Sequence, residues 1–268
     1  STASTVGCTA LGRKYLDGYG GSKDMKKGAA LLSKQCKAKD ELACLALAEL
    51  YRRRDFKQRS EKTAYRVASA ACDAGLSNSC ILAAEYARTA VGSHADFDKA
   101  IWFGLEACDL GDAEGCVMAG RVSKKEKLLH APARKYFSRA CDMKNSVGCV
   151  EAADISKGAE ALAFGKKACE MGNGDGCEVA ATYYESGDGV RRSEQKAQVF
   201  LKLGRKLNSG RAEYRYGEFV ITGKAGFETD YLKANAAFRK ACFDLEFGSG
   251  CIWQKRLHLC EKARPTWL

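Results

Sequence analysis

The sequence predicts an all-α solenoid, and three observations carry the prediction. First, a nine-residue phrase bounded by cysteines recurs: CKAKDELAC (Cys36 to Cys44), CDAGLSNSC (Cys72 to Cys80), CDLGDAEGC (Cys108 to Cys116), CDMKNSVGC (Cys141 to Cys149) and CEMGNGDGC (Cys169 to Cys177). A sixth copy, CFDLEFGSGC (Cys242 to Cys251), is one residue longer. Second, the leading cysteines stand at 36, 72, 108, 141 and 169, a period that fits two helices and two short turns. Third, small residues recur at helical spacing on both sides of each phrase. The expected organisation is one solenoid domain over 1–268, with about seven helix pairs and a C-terminal capping helix.

The first helix of each pair, helix A, starts around the second cysteine. Four residues after that cysteine stand Gly12, Ala48, Ala84, Gly120, Ala153 and Ala181, counting Cys8 as the second cysteine of the first copy. Small side chains on one face let two helix axes approach closely. Tyr15, Tyr51 and Tyr184 follow at seven residues and read as packing residues. Helix B ends on the first cysteine of the next phrase. Asp24, Ser60, Asp96 or Asp98, Ser193 and Asp230 stand where its N-caps belong. Pro132 suits a first helical turn. Gly75, Gly111 and Gly172 fit left-handed C-caps. Gly-rich turns such as DGYGGSKD and SGDGVRRS join A to B, and the fourth and fifth repeats have shortened this turn or lost it.

Twelve of the fourteen cysteines fall inside the pattern. Zinc sites place cysteines two to four residues apart, often with histidine; this chain has no such pair and only three histidines. Disulfides Cys36–Cys44, Cys72–Cys80, Cys108–Cys116, Cys141–Cys149, Cys169–Cys177 and Cys242–Cys251 are therefore expected, against the alternative of buried free thiols. Residues eight apart on an unbroken helix are about 12 Å apart, beyond the roughly 7 Å that a disulfide spans. The chain must reverse between them, and the glycine supplies the reversal. The segment LKLGRKLNSGR holds the place of one further copy, with Leu203 and Arg211 read at the cysteine positions. Both cysteines are missing together, as a bonded pair would be, and this copy is expected to be unclipped. Cys8 and Cys260 are left without evident partners.

Hydrophobic residues make up 46% and prolines number two, which excludes a disordered chain. No apolar run is long enough to cross a bilayer, so no transmembrane segment is expected. The net charge of +11 favours an acidic partner; no nucleic-acid module is present, and no nucleic-acid partner is expected. With paired cysteines and no apolar leader after Ser1, the expected localisation is periplasmic or secreted, a signal peptide having been removed.

The frame G-C-x-x-(L/A)-(A/G)-x-x-Y-x-x-G-x-G-V, then (D/S)-x-x-K-A and K-A-C-x-x-G-x-x-x-G-C, resembles the Sel-one-like repeat. It is best met at Gly176, Cys177, Gly187 to Val190, Lys196 and Ala197. The paired cysteines resemble the Helicobacter cysteine-rich protein branch of secreted bacterial proteins. The resemblance covers essentially the whole chain. It implies a right-handed α/α superhelix with a concave binding face, and a role as adaptor in protein complexes, signalling or host interaction. Some of the cysteine-rich branch are linked to β-lactam binding or weak hydrolysis. Departures are the two shortened repeats, the cysteine-less copy, and Cys8 and Cys260.

A serine β-lactamase needs S-x-x-K, and Ser193-Glu-Gln-Lys196 matches it. The match falls where the repeat places a cap, and the companion S-D-N and K-T-G motifs are missing. His94, His130 and His258 lie in different repeats and suggest no triad. No catalytic residue, cofactor or metal is expected. The candidate partner-binding column lies five residues after the second cysteine: Arg13, Glu49, Glu85, Arg121, Asp154, Thr182 and Tyr216. Arg52 and Arg53, in the basic run Arg52-Arg53-Arg54, join it as steering charges, with Lys124-Lys125 and Arg191-Arg192 as further clusters. The expected function is non-catalytic binding of another protein in the concave groove by a monomer, as adaptor or as neutraliser of a secreted factor such as a toxin. The alternative is a binder or hydrolase of β-lactams or peptidoglycan.

Overall fold

A computed structural model describes residues 2–92 and 94–252. Fourteen α-helices are formed by these residues: α1 (Thr2–Asp17), α2 (Met25–Lys37), α3 (Glu41–Leu50), α4 (Glu61–Asp73), α5 (Ser77–Arg88), α6 (Phe97–Asp109), α7 (Ala113–Lys125), α8 (His130–Asp142), α9 (Ser146–Ile155), α10 (Gly158–Glu170), α11 (Gly174–Ser186), α12 (Glu194–Lys206), α13 (Gly210–Thr222) and α14 (Tyr231–Arg239). The odd-numbered helices are the A helices and the even-numbered ones the B helices. Described residues form no strand. On either side of α8, each helix packs mainly on its sequence neighbours, as a solenoid requires. The chain divides into two compact units, Ser1–Ala140 and Cys141–Leu268, with the division inside α8. The expected capping helix lies mostly outside the described residues, as do His258 and Cys260.

The ends of the helices follow from their sequences. Asp24, Ser60, Asp96, Ser193 and Asp230 cap B helices by accepting the backbone N–H three residues on. Asp96 takes this role and not Asp98. Donation from the backbone of Lys99 stabilises the Asp96 carboxylate and lowers its pKa. Asp40, Asp112, Asn145, Asn173 and Ser209 cap A helices. Helix α5 has Leu76 at its N-cap and no side-chain cap; Glu41 of α3 substitutes, accepting from Ser79 N at 3.2 Å and Asn78 Nδ2 at 3.0 Å.

All six expected cysteine pairs are joined, with Cα separations of 4.5 to 4.9 Å. The reversal that allows this is a left-handed residue five places before the second cysteine: Gly75, Gly111 and Gly172, but also Lys39, Lys144 and Glu246. A lysine or glutamate in this conformation costs roughly 1 kcal/mol more than glycine. The extra residue of the sixth copy is absorbed as a π-helical turn over Lys240–Asp244. It lies before the left-handed residue, so the remainder of the phrase keeps its register.

The same landmarks correct the reading of the cysteine-less copy. Its left-handed residue is Asn208, and its A-helix cap is Ser209. The positions equivalent to cysteine are therefore Arg205 and Glu213, not Leu203 and Arg211. They are not vacant: Arg205 Nε donates to Glu213 Oε2 at 3.0 Å. Lys240 Nζ donates to the other oxygen at 2.6 Å. The Glu213 side chain is 1% exposed. The copy expected to be unclipped is held by an ion pair where its neighbours hold a covalent bond.

Register also explains the column of small residues. With Glu213 as reference the seventh member is Gly217. The column faces the B-helix residue four places before the first cysteine, and the two sizes complement each other. Where B presents a large side chain, A has glycine: Gly12 with Leu32, Gly120 with Phe137, Gly217 with Phe238. Phe137 and Phe238 are fully buried. Alanine stands in the column where B presents Ala68, Gly104 or Gly165; Ala181, in the repeat whose B residue is Leu201, departs from the rule. A Cβ on Gly120 would sit 2.5 Å from the Phe137 ring. Gly120→Ala is expected to destabilise by about 1–3 kcal/mol through overpacking. Adding Phe137→Leu should recover most of the loss, read by urea denaturation; an additive pair would show that the two side chains do not meet.

Candidate protein-binding surface

The A helices carry most of the candidate residues. In the first unit Arg13, Glu49 and Arg121 are exposed on α1, α3 and α7, and Glu85 is half-buried on α5. Glu85 accepts two hydrogen bonds from Arg88, at 2.7 and 3.1 Å, and Arg121 lies 3.9 Å from Glu114. The basic run is partly neutralised within the molecule. Arg53 donates to Asp17 at 2.9 Å and to both oxygens of Asp55 at 3.0 and 3.1 Å. These hydrogen bonds raise its pKa and lower that of Asp55. Arg52 stacks over the buried Tyr86 ring at 5.0 Å, a cation–π contact. Lys124 stands 5.9 Å from the Phe137 ring.

In the second unit the A helices are tied by a ladder of charge. Arg211 of α13 reaches across two neighbours, donating to both oxygens of Asp154 on α9 at 3.0 Å and to Glu178 on α11 at 3.2 Å. Arg215, one turn on, donates to Glu178 at 2.8 Å and to Glu218 at 2.7 Å. The Glu178 side chain is 4% exposed. Burial works against the charge on Arg211 and Arg215, but hydrogen bonds and the facing carboxylates outweigh it, and both pKa values are raised. Asp154, Glu178, Arg211 and Arg215 line, with Tyr214 and Phe247, a cleft of about 340 Å³. Asp154 thus lies in the cluster; Thr182 donates to Glu178 at 2.9 Å. Glu178, Arg215 and Glu218 were not singled out from the sequence, and Arg211 was placed there only at a cysteine position. The signal was there in two arginines four residues apart on α13, a spacing that puts both on one helical face.

Tyr216 falls off the column, because register from Glu213 puts Glu218 at the seventh place. Its ring instead supports Arg205, whose guanidinium carbon lies 3.6 Å from the ring centroid, and packs edge-on against Phe227 at 5.4 Å. Ser193 and Lys196 are also accounted for. Ser193 Oγ accepts from Lys196 N as the α12 cap, and Lys196 Nζ lies 5.1 Å from the Tyr184 ring centroid. His94 and His130 are exposed in the first unit. Cys8, half-buried on α1, is a free thiol. No group of three or more potential metal ligands is present among the described residues. No described helix is long and apolar enough to cross a membrane.

The sequence matches no protein-family model and no curated protein. Solved structures do share the fold. A protective antigen of uropathogenic Escherichia coli displaying an SLR fold is 19% identical, with TM-score 0.65 over 94% of this chain and 57% of that one. The chain thus spans somewhat more than half the length of that antigen. A Sel1 repeat protein from Oxalobacter formigenes is 16% identical, with TM-score 0.55 over 88% of this chain and 86% of that one. Helicobacter pylori cysteine-rich protein B is 25% identical, with TM-score 0.36 over 47% of this chain and 93% of that one. The repeated cysteine frame, the alternating A and B helices and the first two likenesses agree on the architecture: the chain has the fold of Sel1-like repeat proteins, an all-α solenoid in which six junctions between successive helix pairs are clipped by disulfides.

Proposed function

We propose that the chain is an exported, monomeric adaptor that binds another protein, without catalysis, on the concave side lined by its A helices. The repeats over 1–268 act in this reading as one continuous scaffold. Export is supported by six disulfides, which reduced compartments do not maintain. The observation that carries the binding reading is the cleft of Asp154, Glu178, Arg211, Arg215, Tyr214 and Phe247. Arginine and aromatic side chains around a desolvated polar centre are what protein-binding hot spots are made of. Arg13, Glu49, Glu85, Arg121 and Arg52 supply the corresponding surface in the first unit. The mixed signs suit a specific protein better than a polyanion. Neutralisation of a secreted factor such as a toxin is the version that fits a small, rigid, exported binder.

The test is affinity capture from the native envelope fraction under non-reducing conditions. The wild-type chain should recover a near-stoichiometric protein, and Arg215→Glu should reduce that recovery about tenfold or more. Recovery of nothing, or equal recovery by the variant, rejects the site. Nitrocefin turnover that Ser193→Ala abolishes would instead establish an enzyme.

A further inference from the structure

The B helices of neighbouring repeats meet along a second set of grooves, and these differ in the charge of the residues that line them. In the first unit, Asp109 at the end of α6 accepts from Arg139 of α8 at 2.5 Å. In the second unit, Asp142 at the end of α8 accepts from Lys167 of α10 at 3.3 Å. Each pair joins the residue just after one first cysteine to the residue two before the next. The groove there is balanced in charge, lined by Asp142 and Glu170 and by Lys144 and Lys167.

At the first such junction, between α2 and α4, the equivalent residues are Lys37 and Ala70. No seal forms there. What remains is a groove of about 410 Å³ whose floor is apolar, built from Leu47, Val67, Ala71 and Ala74 beside Cys36. Lys37, Lys39 and Arg66 are exposed at its rim, and no carboxylate lines it. The junction between α4 and α6 has the opposite character, with Asp73 and Glu106 in the paired positions. The surrounding field points the same way. Residues 13–66 hold fifteen basic and seven acidic side chains, so +8 of the chain's net +11 sits in this stretch.

We infer that the α2–α4 groove docks an acidic, amphipathic segment of a partner protein. A carboxylate from the partner pairs with Lys37 from the place beside Ala70, which Arg139 and Lys167 fill from within the chain, with the charges reversed, at the other two junctions. An adjacent apolar side chain of the partner covers the alanine floor. Charge complementarity gives the sign of the partner, and the apolar floor selects a peptide over a bare polyanion. The site is on the B-helix side and is independent of the A-helix surface: Arg215→Glu leaves it intact.

The test uses fluorescence polarisation with a labelled octapeptide that alternates glutamate and leucine. The wild-type chain should bind it about tenfold more tightly than a glutamate–serine octapeptide. Lys37→Glu and Arg66→Glu should each weaken binding about tenfold. Ala70→Glu supplies the missing carboxylate from within, so it should weaken binding by the same factor without lowering the thermal midpoint. Lys202→Glu, the same charge change on exposed α12, should leave affinity within about twofold. Equal weakening by Lys202→Glu would mean diffuse electrostatics and overturn the site. So would tight binding in Ala70→Glu, or equal affinity for the serine peptide. Lys37-dependent binding of phosphatidylglycerol vesicles in place of the peptide would assign the groove to a lipid surface and reject a protein partner.

Discussion

Glu213→Ala is expected to destabilise the protein by about 2–3 kcal/mol in urea denaturation under non-reducing conditions. Removing one partner of a buried ion pair typically costs about 3–5 kcal/mol, because a charge is stranded without compensation. Here the stranded cations are Arg205 and Lys240, whose side chains are 32% and 40% exposed and regain water, which lowers the figure. Arg205→Ala should cost less, since Lys240 still neutralises the buried carboxylate. Arg205→Ala with Lys240→Ala should cost more than the sum of the two changes, because Glu213 is then buried alone. The decisive variant replaces both members, Arg205→Cys with Glu213→Cys. It should form a disulfide on oxidation and gain about 2.5 kcal/mol relative to its own reduced form, the loop-closure value for nine residues. Failure to oxidise would mean that the two positions are not the equivalent of the cysteine pairs.

Cys72→Ala with Cys80→Ala should lower stability by a similar amount, about 2.5 kcal/mol, or a midpoint shift of roughly 5–10 °C. The bond joins α4 to α5 with a Cα separation of 4.5 Å, and both residues are buried. Full reduction of all six bonds should lower the midpoint far further, though by less than six independent increments because the clips share neighbours. Peptide mapping without reduction checks the same pairing and should recover Cys72 linked to Cys80. Alkylated free thiols at both positions in protein from its native source would remove the argument for export, and the stability loss in the double variant would then reflect packing alone.

The solenoid was legible because each repeat prints the same local physics: a cap, a small residue on the packing face, and a reversal stapled by sulfur. The cysteine-less copy was misread by two residues because its landmarks are chemically unlike those of the others. Asn208 stands where three of the other copies have glycine, and counting four residues from Arg211 instead of Glu213 passes over Gly217. With Arg205 and Glu213 as anchors, the second positions of the last three copies fall at 177, 213 and 251, close to the spacing of the first copies. The candidate surface was legible only in part. Column spacing found Asp154 and the exposed charges of the first unit, since exposure follows from position on a helix. It could not find Glu178, whose burial depends on two arginines from the next repeat. The unsealed α2–α4 groove was equally hidden, because it is defined by what Lys37 and Ala70 fail to do together.

The pairing of glycine with large side chains, Leu32, Phe137 and Phe238, has a consequence for how such a chain can be rearranged. For the glycines the match is made between the A and B helices of one repeat, so each of those repeats carries its own key. Crossovers placed in the stapled loop transplant lock and key together, whereas crossovers in the A-to-B turn can set Phe137 against alanine. One loop is an exception to free exchange. Cutting between Arg205 and Glu213 and joining either half to another repeat leaves one thiol facing a charge. Shuffling among these repeats should therefore succeed at the cysteine-bounded loops and fail at the loop after α12.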